Sequence, residues 1–176
     1  MPDALLIVDL QTALFAQAPY PHDLNGVITR INELAKRARS AGVQVIFVQH
    51  EGQGLENGSA GWQIDSRVKV EAGDLNIHKN TSAPYASTPL QAILNQHGVK
   101  QLAIAGYSSE FCIDSTVRWS ASLGFEVVLV SDGHCSHDKP HLSGQQIIEH
   151  HNATLPAISS LGAKITAAPA ASLWAL

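Results

Sequence analysis

The sequence predicts an α/β fold of three layers, α/β/α, in which helices cover a doubly wound sheet of about six mainly parallel strands. Two observations carry this. Short runs rich in Val, Ile and Leu recur at 4–8, 43–48, 76–79, 101–105 and 126–130, with a weaker sixth at 163–166. They are continuous rather than alternating, as in strands covered on both faces of a parallel sheet. Between them lie segments with helical periodicity, and strands alternating with helices favour one sheet with right-handed crossovers.

The first run ends on Asp9. Leu24, Val27, Ile28, Ile31, Leu34, Ala35 and Ala38 then repeat at helical spacing, with Asp23 as the expected N-cap and Gly42 as the stop. The second strand opens onto 50–61, HEGQGLENGSAG, the longest stretch without periodicity, which suits a lid or a pocket wall. The third strand ends at Lys79, and Thr88-Pro89 opens a second helix through Leu90, Ile93 and Leu94 toward Gly98. The fourth strand turns through Gly106-Tyr107-Ser108-Ser109 into a third helix expected over 110–123 and stopped by Gly124. A fourth helix is expected over 143–159, shortened or kinked by Pro156.

A chain of 176 residues suits a single domain over 1–176. Apolar residues make up 45% and charged residues 15%, a sparsely charged surface that points to area covered by subunit contacts. The net charge of −4 and the lack of any Lys/Arg run exclude the electrostatic footprint of a nucleic-acid binder, leaving a small molecule as the expected partner. The N-terminal MPDALLIVDLQ has no basic region, and its apolar run is too short for a signal peptide or membrane span. The expected location is cytoplasmic, where Cys112 and Cys135 remain thiols.

In a doubly wound sheet, ligands bind beyond the carboxyl ends of the strands. Asp9, Lys79 and Cys112 all fall on that edge. Unpaired N–H groups and the helix dipole favour an anion at the third helix N-terminus, so Cys112 is expected to be held as a thiolate. A buried cysteine that only packs is the competing reading. Asp9 is a loop carboxylate or a general base, and Lys79 a solvated surface lysine or a cation beside the thiolate. Together they supply complementary chemistry: base, cation and nucleophile.

These residues are set in motifs whose order and spacing matter. They are Asp9-Leu10-Gln11; Lys79 followed by Ser82-Ala83-Pro84-Tyr85-Ala86-Ser87-Thr88; Gly106-Tyr107-Ser108-Ser109-Glu110-Phe111-Cys112 leading to Ser115-Thr116; Gly124-Phe125-Glu126-Val127; and Ser131-Asp132-Gly133. Over nearly its whole length the chain resembles the isochorismatase-like cysteine hydrolases, which include nicotinamidases and N-carbamoylsarcosine amidohydrolases. The resemblance implies the isochorismatase-like α/β fold, a homo-oligomer, a dimer or larger, a catalytic triad of Asp9, Lys79 and Cys112, and a cis peptide between Tyr107 and Ser108. That peptide would turn the Ser108 N–H, with the Cys112 N–H, toward the oxygen of a tetrahedral intermediate.

Nicotinamidases also carry an Asp-x-His-x-x-His ligand set after the second strand. Here the sequence reads Phe47-Val48-Gln49-His50-Glu51-Gly52-Gln53, so His50 lacks matching partners and no metal or other cofactor is expected. His134, Cys135, His137 and His141 form a second candidate cluster, but their spacing matches no strong zinc motif. The His150-His151 pair does not share a helix face. Phe15, Trp62, Tyr85 and Tyr107 are candidates for substrate contact or for ordinary core, and Gln11 and Glu110 stand with them.

The expected activity is hydrolysis of a small amide or related C–N bond through a thioester on Cys112. Vinyl-ether hydrolysis on the same fold is the alternative, although the resemblance associates that reaction with members lacking the cysteine. A non-catalytic small-molecule binder is the remaining class.

Overall fold

The computed structural model describes residues 1–175. Six strands, β1 (Ala4–Val8), β2 (Gln44–His50), β3 (Leu75–Lys79), β4 (Gln101–Tyr107), β5 (Glu126–Cys135) and β6 (Ile165–Ala168), form one sheet in the order β3-β2-β1-β4-β5-β6. Every pairing is parallel. Four α-helices accompany them: α1 (Leu24–Ser40), α2 (Leu90–Gln96), α3 (Asp114–Ser122) and α4 (Gly144–Thr154). The chain winds outward from β1 to β3, then returns to add β4, β5 and β6 on the other side. The switch point therefore lies between β1 and β4, where Val8 is in register with Gly106.

Both faces of the sheet are buried, which is why the strands read as continuous apolar runs. On one face Leu5, Ile7, Val45, Phe47, Ala103 and Ala105 pack against Val27, Ile28, Ile31, Leu34 and Ala35 of α1. On the other, Leu6, Val8, Ile46, Val48, Leu102 and Ile104 pack against Leu90 and Leu94 of α2 and Val117 and Ala121 of α3. Among the described residues no helix is long and apolar enough to cross a membrane.

Element boundaries differ from the sequence expectations for local reasons. Asp23 precedes α1 in a left-handed conformation (φ +49°), and its side chain makes no cap bond. Its carboxylate pairs with Arg30 at 2.6 Å instead. Strand β5 continues to Cys135, because a register shift between Ile104 and Gly106 lets Gly106 and Tyr107 pair with His134 and Cys135. The third helix begins as a π-helical turn, Ser109–Ile113, before α3. Helix α4 starts at a capping box of Ser143 and Gln146 and ends at Thr154, with Pro156 in the following 3-10 turn. The sixth strand lies at 165–168, later than the expected 163–166.

Candidate active site

The sheet edge beyond the strand C-termini gathers side chains from four strand ends. Asp9 follows β1 directly in a left-handed conformation (φ +51°), which Asp tolerates better than most residues, and donates its N–H to the Val48 carbonyl at 2.8 Å. Lys79 ends β3 with a fully buried side chain. His50 ends β2 and stands in register with Lys79. Cys112 sits in the π-helical turn after β4.

The Lys79 ammonium lies at their centre. Its Nζ donates to Asp9 Oδ2 at 2.8 Å and to Cys112 Sγ at 3.3 Å, and lies 3.1 Å from His50 Nδ1. An ammonium has three donors and no acceptor, so these three contacts satisfy it and require His50 Nδ1 to accept. Burial, with Lys79 adding to it, lowers the His50 pKa, which keeps the ring neutral and able to do so. A carboxylate oxygen of Asp9, a ring nitrogen of His50 and the Cys112 sulfur lie within 4.8 Å of one another, a grouping that resembles a metal site. Here a cation already stands among them, and a second one there would face direct repulsion.

Burial raises the Asp9 pKa, with Lys79 opposing. Asp9 Oδ1 is buried without a hydrogen-bond partner among the described residues. Cys112 departs from the thiolate expectation: burial first, then the Asp9 charge, push its thiol up to about 12, against the pull of Lys79. Desolvation outweighs a single ammonium that Asp9 already neutralises. At rest the Cys112 sulfur is a thiol beside the Asp9–Lys79 ion pair.

The turn beside Cys112 has an unusual backbone. The Tyr107-Ser108 peptide is cis. The Ser108 carbonyl accepts the N–H of both Phe111 and Ile113 at 3.1 Å, which widens the first turn into its π-helical form. The Ser108 N–H has no protein acceptor among the described residues. Gly106 just upstream adopts φ +127°, and a Cβ there would stand 2.1 Å from the Val8 carbonyl oxygen. Only glycine allows β4 to approach β1 so closely.

The other candidates divide. Phe15 packs edge-on against Tyr107 at 5.3 Å, and Tyr107 in turn meets His137, with its hydroxyl 2.9 Å from His137 Nδ1. Trp62 is buried, its indole N–H has no partner among the described residues, and its carbonyl accepts from Gln11 and Gln49. Tyr85 lies in the core that packs on α3 and directs its hydroxyl to Ser120 Oγ at 2.7 Å. Glu110 stands 2.9 Å from Lys139. Although burial opposes its charge, Lys139 holds the Glu110 carboxyl below its usual range.

Some of the site was not visible in sequence. His50, set aside for lacking metal partners, instead receives Lys79. Its position as the last residue of β2, on the same edge, was the available signal. Gln11 joins two strand ends: its Nε2 donates to the His50 and Trp62 carbonyls, and its Oε1 accepts the His50 N–H at 2.8 Å. In the second histidine cluster, His134 contacts Ser109 and Asn152 while His137 contacts Tyr107, and Cys135 is fully buried.

A family model described as the isochorismatase domain matches residues 3–168. Over 140 residues the chain is 35% identical to a streptothricin hydrolase of Streptomyces noursei, covering 78% of this chain and 51% of the relative. The chain thus spans about half the length of that curated relative. It is 25% identical over 169 residues to a ureidoacrylate amidohydrolase of Pseudomonas savastanoi pv. phaseolicola, covering 73% of this chain and 69% of the relative. The crystal structure of an isochorismatase family protein superimposes with a TM-score of 0.87 at 30% identity, covering 94% of this chain and 96% of the other. With the family model running across nearly all of its sheet and its candidate site, the chain belongs to the isochorismatase family.

Proposed function

We propose that this protein is a cysteine hydrolase that cleaves a small-molecule amide or related C–N bond through a thioester on Cys112. The observation that carries this reading is the contact set of the buried Asp9 and Lys79 with the half-buried Cys112, with Lys79 Nζ 2.8 Å from Asp9 Oδ2 and 3.3 Å from Cys112 Sγ. A thiol at about 12 does not ionise at rest, so the proton leaves Sγ as the sulfur attacks. Asp9 Oδ1, free of other partners, accepts it, and its raised pKa suits that role.

Attack forms the S–C bond and moves the carbonyl electron pair onto oxygen, where the N–H groups of Ser108 and Cys112 would stabilise the charge. Collapse expels the amine, which takes the proton held by Asp9. Water then gives a proton to Asp9 as its oxygen attacks the thioester carbonyl. The second tetrahedral intermediate releases the carboxylic acid, and Cys112 recovers its proton. Lys79 stays an ammonium throughout, holding Asp9 and the sulfur in reach of each other. Phe15, Tyr107 and Trp62 would wall the substrate pocket, while the Tyr85 hydroxyl is already engaged by Ser120.

The relatives' names suggest the first compounds to assay: streptothricin, ureido acids and simple carbamoyl amides. Ammonia or amine release that disappears in Cys112→Ala is the expected result. Undiminished turnover in that variant overturns the mechanism. Exposed Phe111 and Trp119, beside and on α3, support a homo-oligomer, and two free cysteines support a reducing, cytoplasmic setting.

A further inference from the structure

We propose that a chain of three side chains, the buried Ser109 and His134 and the half-buried Asn152, positions the oxyanion turn. None of the three is among the reacting groups, and each comes from a different element: the turn after β4, the end of β5, and α4. Ser109 Oγ lies 2.7 Å from His134 Nδ1, His134 Nε2 lies 3.0 Å from Asn152 Oδ1, and Asn152 Nδ2 donates to the Ser131 carbonyl at 2.8 Å. Ser109 is fully buried and His134 nearly so.

The last contact sets the direction of the others. A backbone carbonyl accepts only, so the Asn152 amide nitrogen must face Ser131, and its oxygen must face His134. His134 then carries its proton on Nε2, leaving Nδ1 to accept from the Ser109 hydroxyl. Burial lowers the His134 pKa to about 4, so the neutral ring that this arrangement needs is the form present near neutrality. Every hydrogen-bonding atom of the imidazole is engaged.

Ser109 follows the cis peptide, its neighbour Ser108 supplies one proposed oxyanion donor, and the carbonyl of Ser109 accepts the Asp114 N–H at the end of the π-helical turn. Anchoring Ser109 from α4 therefore restrains the segment that aims the Ser108 and Cys112 N–H groups. Oxyanion donors act only if held at the right distance before charge develops. Ser109, His134 and Asn152 are positioning residues in this sense. The catalytic consequence rests on the hydrolase reading above, whereas the restraint on the turn does not.

The test uses the full chain with Ser109→Ala, Asn152→Ala and Ser109→Thr, the last retaining the hydroxyl. Amide hydrogen exchange of the 107–113 peptide reads the restraint without substrate, and is expected to quicken in both alanine variants. With an amide that wild type cleaves, kcat is expected to fall about 10- to 100-fold while KM and the iodoacetamide rate at Cys112 stay within about 2-fold. Ser109→Thr should restore kcat to within about 3-fold, because the donor is retained.

Unchanged exchange overturns the proposal, and so does faster exchange with normal kcat. A joint fall of kcat, alkylation rate and Tm overturns it as well, since that marks general destabilisation. Full turnover by Cys112→Ala instead overturns the hydrolase reading, and exchange then decides the restraint by itself.

Discussion

His50 and Lys79 stand opposite one another in the β2–β3 register, and His50 Nδ1 accepts the third donor of the Lys79 ammonium at 3.1 Å. This contact makes a buried lysine tenable, because all three N–H groups have partners. His50→Phe removes that acceptor. The expected outcome is a loss of about 10-fold in kcat/KM, corresponding to one charge-assisted hydrogen bond, and a smaller loss in His50→Asn. Steady-state kinetics on an amide cleaved by wild type check this.

Lys79→Met should lower turnover by at least about 100-fold and also shift its pH dependence. Burial raises the Asp9 pKa and Lys79 opposes that rise, so removing the ammonium raises the pKa further. Activity requires the Asp9 carboxylate, and therefore the acid limb of kcat/KM moves to higher pH. An acid limb that stays in place, or moves down, contradicts the role given to Asp9.

Gly106→Ala tests the switch point. The added Cβ would meet the Val8 carbonyl oxygen at 2.1 Å and the Val8 nitrogen at 2.6 Å, both backbone atoms of the adjacent strand, at φ +127°. No side-chain rotation relieves that clash. A loss of more than about 3 kcal/mol is expected, read as a lowered midpoint in chemical unfolding.

Acid stability should carry the signature of His134. An ordinary histidine in the unfolded chain titrates near 6.5, whereas His134 in the fold titrates near 4, burial being the main cause. Between these values the unfolded chain binds the extra proton, so stability from this group is fully present above the unfolded value. It falls as pH drops through the window and changes no further below the folded value. The total is roughly 3 kcal/mol, and urea unfolding across that pH range should show a flatter profile in His134→Gln.

Much of the architecture was legible because it depends on local composition. Continuous apolar runs require two covered faces, and Leu24 through Ala38 repeat at helical spacing whatever lies beyond them. Boundaries were less legible where a distant strand intervenes. The extension of β5 to Cys135 depends on the register shift beside Gly106, and the π-helical turn depends on two N–H groups sharing the Ser108 carbonyl. The fate of Asp23 turned on Arg30, seven residues away.

By itself the sequence determined the class of fold, the edge at which Asp9, Lys79 and Cys112 arrive, and the residue types available there for chemistry. Periodicity and strand ends are properties of neighbouring residues, so a linear reading reaches them. Only the tertiary structure decided which atoms meet and in which ionisation state. The three contacts of Lys79 join residues 70, 33 and 29 positions apart. The Cys112 thiol owes its raised pKa to burial created by the whole edge. Desolvation and Coulomb energy depend on distance through space, which is why His50 became a partner of the lysine and the cysteine became a thiol rather than the thiolate that a helix N-terminus alone suggests.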